Sequence, residues 1–342
     1  MHSRRLTLAI LALVCCFSGT KLAAQVPVRS SEYLAVDGAE LFLLTRGADR
    51  NAPVVLWLHG AGGTEGPLFR YFNEALEDRF VVAYWDQRGA GRSFDPAADP
   101  HVLSIARHLA DLDAVVDHLR EAFGQEKIAL IGHSWGGALG LLYARDHASK
   151  VSAFIGVAPM ISTRAGQQAE YEFISAEAAR RKDDDTEARL RELGAPPYDS
   201  TAKAYAVGRL TARYGGLFHQ QPNRYWATLR AITSGVVAPW EIPPLTRGNQ
   251  TSIDAMHEEL LALDLSQSVP NVDVPVVFAL GRYDRRADAK LAAAYLEHLR
   301  APAKRLIWFE SSAHNVPFEE PDLFNQIVRD ELQGIGMRAE RR

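Results

Sequence analysis

The chain has 342 residues, 47% of them hydrophobic and 23% charged, with a formal net charge of −4. That composition gives ample material for a large apolar core and no basic footprint for nucleic acid. The two cysteines, Cys15 and Cys16, both fall near the start, so the rest of the chain has no disulfide and no thiol nucleophile.

The first residues read as a leader. Arg4 and Arg5 precede an apolar stretch from Leu6 to Phe17, and Leu22-Ala23-Ala24 offers a small-residue cleavage site before Gln25. This is the pattern of a secretory signal peptide over residues 1–24, and it predicts an exported protein, periplasmic or secreted. The apolar stretch is short for a membrane span, so no stable span is expected after cleavage; an uncleaved anchor is the alternative. Val14 before Cys15 fits a lipid-attachment signal poorly.

After the leader, residues 40–45 read as a strand. Residues 53–59 (Pro-Val-Val-Leu-Trp-Leu-His) form a stronger one, continuously apolar as in a strand buried on both faces. Gly60 to Gly66 is a glycine-rich loop, and Pro67 suits the first turn of a helix carrying Leu68, Phe69, Phe72 and Leu76. Residues 80–85 give the next strand. Ile105, Leu109, Leu112, Val116 and Leu119 mark one face of an amphipathic helix. Strands follow at 127–131 and 151–157, with a helix between them. Strands alternating with helices predict a parallel sheet covered on both sides.

The rhythm breaks after Pro159. Between about 160 and 268 the pattern is helical, at 169–181, 187–193, 201–214, 223–233 and 253–263, with Pro196-Pro197 and Pro243-Pro244 as punctuation. The charge run from Arg181 to Glu187 reads as a solvated surface. Strand and helix then resume with a strand at 274–280, a helix at 287–299, a strand at 305–309 and a helix at 321–332. The expected organisation is an α/β core over 25–159 and 269–342, interrupted by a helical cap over 160–268.

The chemistry concentrates at Gly132-His-Ser-Trp-Gly-Gly137, directly after the apolar run 127–131. Strand, then Gly-x-Ser-x-Gly, then helix is the nucleophile elbow of a serine hydrolase. A serine hydroxyl attacks well only when it is held out of the sheet beside a base. Ser134 is therefore the candidate nucleophile. In this arrangement the acid and the histidine follow the serine in the chain. Asp284, after the strand ending at Leu280, is the candidate acid, with Asp288 as alternative. His314, beyond the strand ending at Phe309, is the candidate base, with His298 as alternative. The oxyanion hole needs two backbone N–H groups. Trp135 and Ala61 are the candidates, with Gly60 in reserve. His59 reads as a brace for its loop.

Three segments carry a family resemblance: His59-Gly-Ala-Gly-Gly63, Asp86-Gln-Arg-Gly-Ala-Gly-Arg-Ser93 and Gly132-His-Ser-Trp-Gly-Gly137, supported by Gly281-Arg-Tyr-Asp284. They resemble the α/β-hydrolase fold, and within it the prolyl aminopeptidase (proline iminopeptidase) group. The resemblance implies a mostly parallel sheet with an inserted helical cap, a Ser134-Asp284-His314 triad, and an oxyanion hole from Trp135 and Ala61. Ala61 and Gly62 stand where the group usually has glycine and proline, which leaves the backbone donors in place. The group also binds a substrate's free amino terminus through acidic cap residues, one of them after a tryptophan. Trp240-Glu241, Glu258 and Glu259 are the candidates here.

The expected substrate is a small molecule or short peptide, cleaved at an amide or ester bond, with no cofactor and no metal. The chain has no His-Glu-x-x-His and no cluster of closely spaced ligands, which sets metal-dependent hydrolysis aside. Epoxide or haloalkane hydrolysis would need aspartate at position 134. A non-catalytic binding protein on the same fold is a further alternative, opposed by the full set of serine, acid and histidine. Aromatic side chains of the insertion (Tyr171, Phe173, Tyr205, Tyr214, Phe218, Tyr225, Trp226 and Trp240) are candidates to line a pocket for a small cyclic or apolar acyl group. An aminopeptidase and a carboxylic ester hydrolase are the two readings.

Overall fold

The computed structural model describes residues 25–61, 65–219, 229, 233 and 250–339. The proposed leader, Trp240-Glu241, Tyr225, Trp226 and most of the helix expected at 223–233 lie outside the described residues.

Eight strands form one sheet: β1 (Val28–Val36), β2 (Ala39–Gly47), β3 (Val54–Leu58), β4 (Val81–Trp85), β5 (Ile128–His133), β6 (Val151–Val157), β7 (Val276–Gly281) and β8 (Lys304–Phe309). Their order is β1-β2-β4-β3-β5-β6-β7-β8. β1 and β2 are antiparallel to their neighbours, and the rest run parallel. Strands 3 to 7 are the apolar runs of the sequence. They are buried on both faces, as a helix-covered parallel sheet requires.

Alternation along β3 shows the two faces. Val54, Leu56 and Leu58 join one core cluster, whereas Val55 and Trp57 join the other. The first cluster is closed by α2 (Ile105–Phe123) and α3 (Trp135–Asp146), through Leu112, Val116, Leu139 and Leu142. The second is closed by α1 (Glu65–Asn73) through Phe69, which stacks on Trp57, and by the C-terminal helix through Phe324 and Val328. Among the described residues, no helix is long and apolar enough to cross a membrane.

β1 is absent from the sequence reading. It is an edge strand with mostly half-buried or exposed residues, so its alternation is weak. Its one local signal is the turn that joins it to β2. Asp37 and Gly38 both have positive φ, at 44° and 76°, as a two-residue hairpin turn demands.

Between β6 and β7 lie α4 (Thr163–Arg181), α5 (Asp184–Leu193), α6 (Thr201–Arg213) and the short α7 (His257–Ala262). α4, α5 and α6 share an apolar cluster of their own, built on Ile174, Leu190, Tyr198 and Val207. The charge run at 181–187 does more than solvate a surface. The Asp183 carboxylate accepts from the Thr186 N–H at 3.1 Å and caps α5, whose first turn carries Asp184, Asp185 and Glu187. Acids there oppose the positive end of the helix dipole. Met256, Leu260, Leu263 and Leu265 belong instead to the cluster of the core strands. After β7 come α8 (Ala289–His298) and, beyond β8, α9 (Pro321–Ala339), which runs longer than the sequence pattern indicates.

The chain reverses its direction of winding at β3: β4 lies on one side of it, and β5 to β8 follow on the other. Such a switch point opens a crevice at the carboxyl ends of the strands. The loops after β3, β4, β5, β7 and β8 all emerge at that edge.

Candidate active site

Ser134 sits between β5 and α3 as the N-cap of the helix, at φ 53° and ψ −114°. A positive φ is strained for a side chain with a Cβ and persists only where the surroundings impose it. They do so here: the Ser134 N–H donates to the Val157 carbonyl at 3.0 Å, and its own carbonyl accepts from the Gly137 and Met160 N–H groups, both at 3.0 Å. The turn is tight enough that only glycine fits beside it. A Cβ on Gly136 would meet the Leu58 carbonyl oxygen at 2.1 Å, and one on Gly132 would meet the Gly136 carbonyl oxygen at 2.3 Å.

Asp284 and His314 are brought together from the loops after β7 and β8. The His314 Nδ1–H donates to Asp284 Oδ2 at 3.0 Å. The other carboxylate oxygen accepts from the backbone N–H of Arg286 at 2.8 Å and of Ala287 at 3.1 Å. Both residues are buried. Burial alone would raise the Asp284 pKa; the His314 ring and the two N–H groups outweigh it and hold the carboxyl below its ordinary value. Gly281, at the end of β7, lets the histidine loop approach, since a Cβ there would lie 1.9 Å from the Ala313 carbonyl oxygen. His133 ties this pair to the elbow. Its Nε2–H donates to the His314 carbonyl at 3.0 Å, and the two rings lie 4.8 Å apart.

The alternatives for acid and base are placed elsewhere. Asp288 caps α8 through the N–H groups of Lys290 and Leu291. His298 lies on α8 with its Nδ1 on the Ala294 carbonyl.

A second network braces the two candidate oxyanion donors. His59 is buried; its Nε2 accepts from the Gln87 N–H at 3.0 Å, so its Nδ1 carries the proton and donates to the Gly60 carbonyl at 2.8 Å. The Gln87 side chain donates to the His59 carbonyl at 2.8 Å and accepts from Trp135 Nε1–H at 2.9 Å. Gln87 thus joins the loop carrying Ala61 to the residue after Ser134. Trp135 opens α3, where the first N–H groups of a helix have no acceptor within it.

The rest of the Asp86–Ser93 segment fastens this corner. Arg88 makes a two-pronged pair with Asp111 at 2.6 and 2.7 Å, and Ser93 Oγ accepts from the Phe42 N–H and donates to the Asp86 carbonyl. The roles of Gln87 and His133 escaped the sequence reading. The cue was available for Gln87, a polar side chain two residues beyond a fully buried strand.

Ala61 and Ser134 line one cavity of about 130 Å³, under α4, α6 and α7. Of the aromatic residues expected to line a pocket, Tyr205 does so. Tyr171, Phe173 and Tyr214 pack in or against the insertion's own cluster, and Phe218 packs against the core. The two described acidic candidates do not reach the cavity. Glu258 and Glu259 are exposed, and Glu259 instead accepts from the Ile105 N–H at 2.6 Å. The neighbouring His257 faces the cavity, and successive helical residues point about 100° apart, which turns both glutamates away.

A buried acid that the sequence did not reveal lies behind the wall. Glu170 of α4 accepts from Arg286 Nη1–H and from Thr211 Oγ1–H, each at 2.7 Å. Burial raises its pKa against the opposing pull of Arg286 and Thr211. Arg286 is held above its ordinary value, chiefly by Glu170. Among the described residues, no group of three or more histidine, cysteine or acidic side chains is placed to hold a metal ion.

Comparisons with known proteins agree with this architecture. A family model described as serine aminopeptidase, S33, matches residues 49–321. The chain is 28% identical over 294 residues to the probable aminopeptidase YbaC of Bacillus subtilis, covering 85% of this chain and 92% of that one. It is 26% identical over 290 residues to a proline iminopeptidase of Saccharolobus solfataricus, covering 85% and 87%. Among solved structures, a proline iminopeptidase-related protein of Thermus thermophilus superposes with a TM-score of 0.68 at 19% identity, covering 90% and 98%. An esterase of Exiguobacterium antarcticum gives 0.61 at 18% identity, covering 90% and 100%. At such identities the structures speak for the α/β-hydrolase fold.

Proposed function

Because the chain belongs to the serine aminopeptidase S33 family and is a prolyl-aminopeptidase-like α/β-hydrolase, we propose that it cleaves an amide or ester bond through an acyl-enzyme on Ser134. The observation that carries this reading is the Asp284–His314 hydrogen bond beside the strained Ser134 elbow. His314 takes the Ser134 proton as the oxygen attacks the substrate carbonyl. Asp284 accepts from Nδ1, so the unprotonated Nε2 is the one available as base, and the carboxylate stabilises the imidazolium that forms. The oxyanion that develops is met by the Trp135 and Ala61 N–H groups. His314 then protonates the leaving group, and the same pair activates the water that releases the acid.

For the bond type, the relatives favour an aminopeptidase acting on proline or another small residue. An ester hydrolase is the second reading, favoured by the turning of Glu258 and Glu259 away from the cavity. A fluorophosphonate probe tests the nucleophile: it should label the wild-type protein and spare Ser134→Ala. Equal labelling of both removes Ser134 from the mechanism. A proline arylamide assayed beside a short acyl arylester then separates the two bond types.

The proposal extends to export. The Arg4-Arg5, apolar and small-residue succession supports cleavage near Gln25 and a periplasmic or secreted site of action. N-terminal sequencing of the protein from the envelope or culture fraction should begin near residue 25. An intact Met1 in the cytoplasmic fraction contradicts it.

A further inference from the structure

The loops that carry Asp284 and His314 are tied directly by the Tyr283 N–H, which donates to the Ser312 carbonyl at 3.0 Å. A third segment reaches both loops. It is residues 215–219, where the chain leaves α6. The Gly216 carbonyl accepts from the Arg285 N–H at 3.0 Å, one residue past Asp284. The Leu217 carbonyl accepts from the Asn315 Nδ2–H at 2.9 Å, one residue past His314. The His219 N–H donates to Glu319 Oε2 at 2.6 Å, and the other oxygen of that carboxylate accepts from the Ala313 N–H at 2.9 Å, one residue before His314. The His219 ring stacks on Tyr283, one residue before Asp284, with centroids 3.4 Å apart. Asp284 and His314 are thus each flanked on both sides by contacts that lead to the same five residues.

The approach is close. A Cβ on Gly216 would lie 2.8 Å from the Arg285 Cβ, so glycine is what lets this carbonyl reach the Arg285 N–H. Asn315 is buried, and a buried amide leaves its partner only at a cost. Neither Asn315 nor Glu319 is among the described residues that line the cavity beside Ser134. Both act on backbone groups: Asn315 on Leu217, and Glu319 on Ala313 and His219.

We propose that residues 215–219 of the insertion set the Asp284–His314 contact, and that Asn315 and Glu319 are the positioning residues through which they hold His314. This inference rests on the acyl-enzyme reading of Ser134 and says what keeps its acid and base in register. The two come from loops after different strands, and such a pair must be held to within about 0.5 Å. A displacement of about 1 Å costs on the order of a hundredfold in rate. A shift of α6 reaches the base through Leu217 and Asn315, so the insertion does more than roof the cavity.

Asn315→Leu keeps the volume and removes the donor. Glu319→Met keeps the length and removes both acceptors. Each is read in two ways, beside a thermal melt that confirms a folded protein. One is the rate of inactivation by the fluorophosphonate probe. The other is the far-downfield proton resonance of the His314 Nδ1–H held by Asp284, assigned by its loss in Asp284→Asn. Both variants should be inactivated about ten- to a hundredfold more slowly than wild type. The resonance should broaden or vanish as the bond loosens and its proton exchanges with water. Glu319→Gln keeps one acceptor and should fall between Glu319→Met and wild type; it stands in if Glu319→Met does not fold, as Asn315→Ala does for Asn315→Leu. A role in packing alone would lower the melting temperature and leave rate and resonance as in wild type, which overturns the proposal. Slowing in only one of the two positions also overturns it, because the base then depends on that contact and not on a shared segment. A wild type without the resonance holds no Asp284–His314 bond, and the proposal falls with it. If the probe does not label Ser134 in the wild type, the acyl-enzyme reading falls and the resonance decides alone: lost at both positions it supports the positioning, unchanged it overturns it.

Discussion

Gln87 and Trp135 are joined by a hydrogen bond of 2.9 Å from the indole Nε1–H to the side-chain oxygen of Gln87. The other end of the same amide donates to the His59 carbonyl at 2.8 Å. One side chain therefore sets the spacing between the loop after β3 and the start of α3. Those are the two elements that would supply oxyanion donors. Donors of this kind work because they are fixed before charge develops. The Asp86–Ser93 segment thus serves the site as a brace, without its side chains supplying the reacting groups.

Gln87→Leu should lower kcat about ten- to hundredfold and change KM much less, since a misplaced oxyanion donor weakens the transition state more than the bound substrate. It also leaves a buried indole N–H and a buried carbonyl unmet, at about 1–3 kcal/mol each. Gln87→Glu separates the two effects, because a carboxylate still accepts from Trp135 but cannot donate to His59 when ionised. Its kcat should fall between the other two. Steady-state kinetics beside a thermal melt decides this; wild-type kcat in both variants removes Gln87 from the machinery.

Asp284→Asn should reduce kcat by about 10⁴ by allowing the wrong His314 tautomer. It also predicts a change in acid stability. The folded-state pKa of Asp284 lies below its ordinary value. Its ionised form therefore stabilises the fold above about pH 4, and that contribution is lost as pH falls from there through the lowered value. Urea unfolding between about pH 5 and pH 3 should show a shallower loss for the variant than for the wild type. Parallel curves would contradict the assigned shift.

Gly136→Ala should fail to give stable soluble protein. The new methyl would sit 2.1 Å from the Leu58 carbonyl oxygen and 2.6 Å from that of His59, both backbone atoms that cannot swing away. Relief means parting α3 from β3 at the elbow. A variant with a melting temperature equal to wild type would show that the turn is looser than its geometry.

The sequence made the sheet legible wherever strands are buried on both faces, because β3 to β7 appear as unbroken apolar runs. The loops after β5 and β7, and the loop after the less buried β8, then offered Ser134, Asp284 and His314 as candidates. β1 was hidden because an edge strand needs no apolar run, although Asp37-Gly38 marked its turn. The facing of α7 was equally hidden. Glu258 and Glu259 look like binding acids in a string of letters, and one residue of rotation decides that His257 faces inward instead. Glu170 and Arg286 lie 116 positions apart and meet only through packing of α4 on the loop after β7. No local pattern announces such a pair.

That pair supports a final prediction. Arg286→Met alone strands the Glu170 carboxylate, whose side chain is 1% exposed, without its cation. Breaking a buried pair in this way costs about 3–5 kcal/mol, and the 31% exposure of Arg286 places the effect toward the lower end. Glu170→Gln/Arg286→Met should recover most of the loss, because no charge is then buried. The single variant should also respond to pH. Burial holds the Glu170 pKa above its ordinary value, so the folded state takes up a proton more readily than the unfolded chain. Stability then falls as pH rises from the ordinary carboxylate value of about 4.3 through the raised one, and losing Arg286 widens that window. Urea titrations of Arg286→Met at about pH 5 and pH 7 should show it more stable at the lower pH, with the double variant nearly level between them. A double variant as unstable as the single one would mean that Arg286 stabilises the fold by packing and not through Glu170.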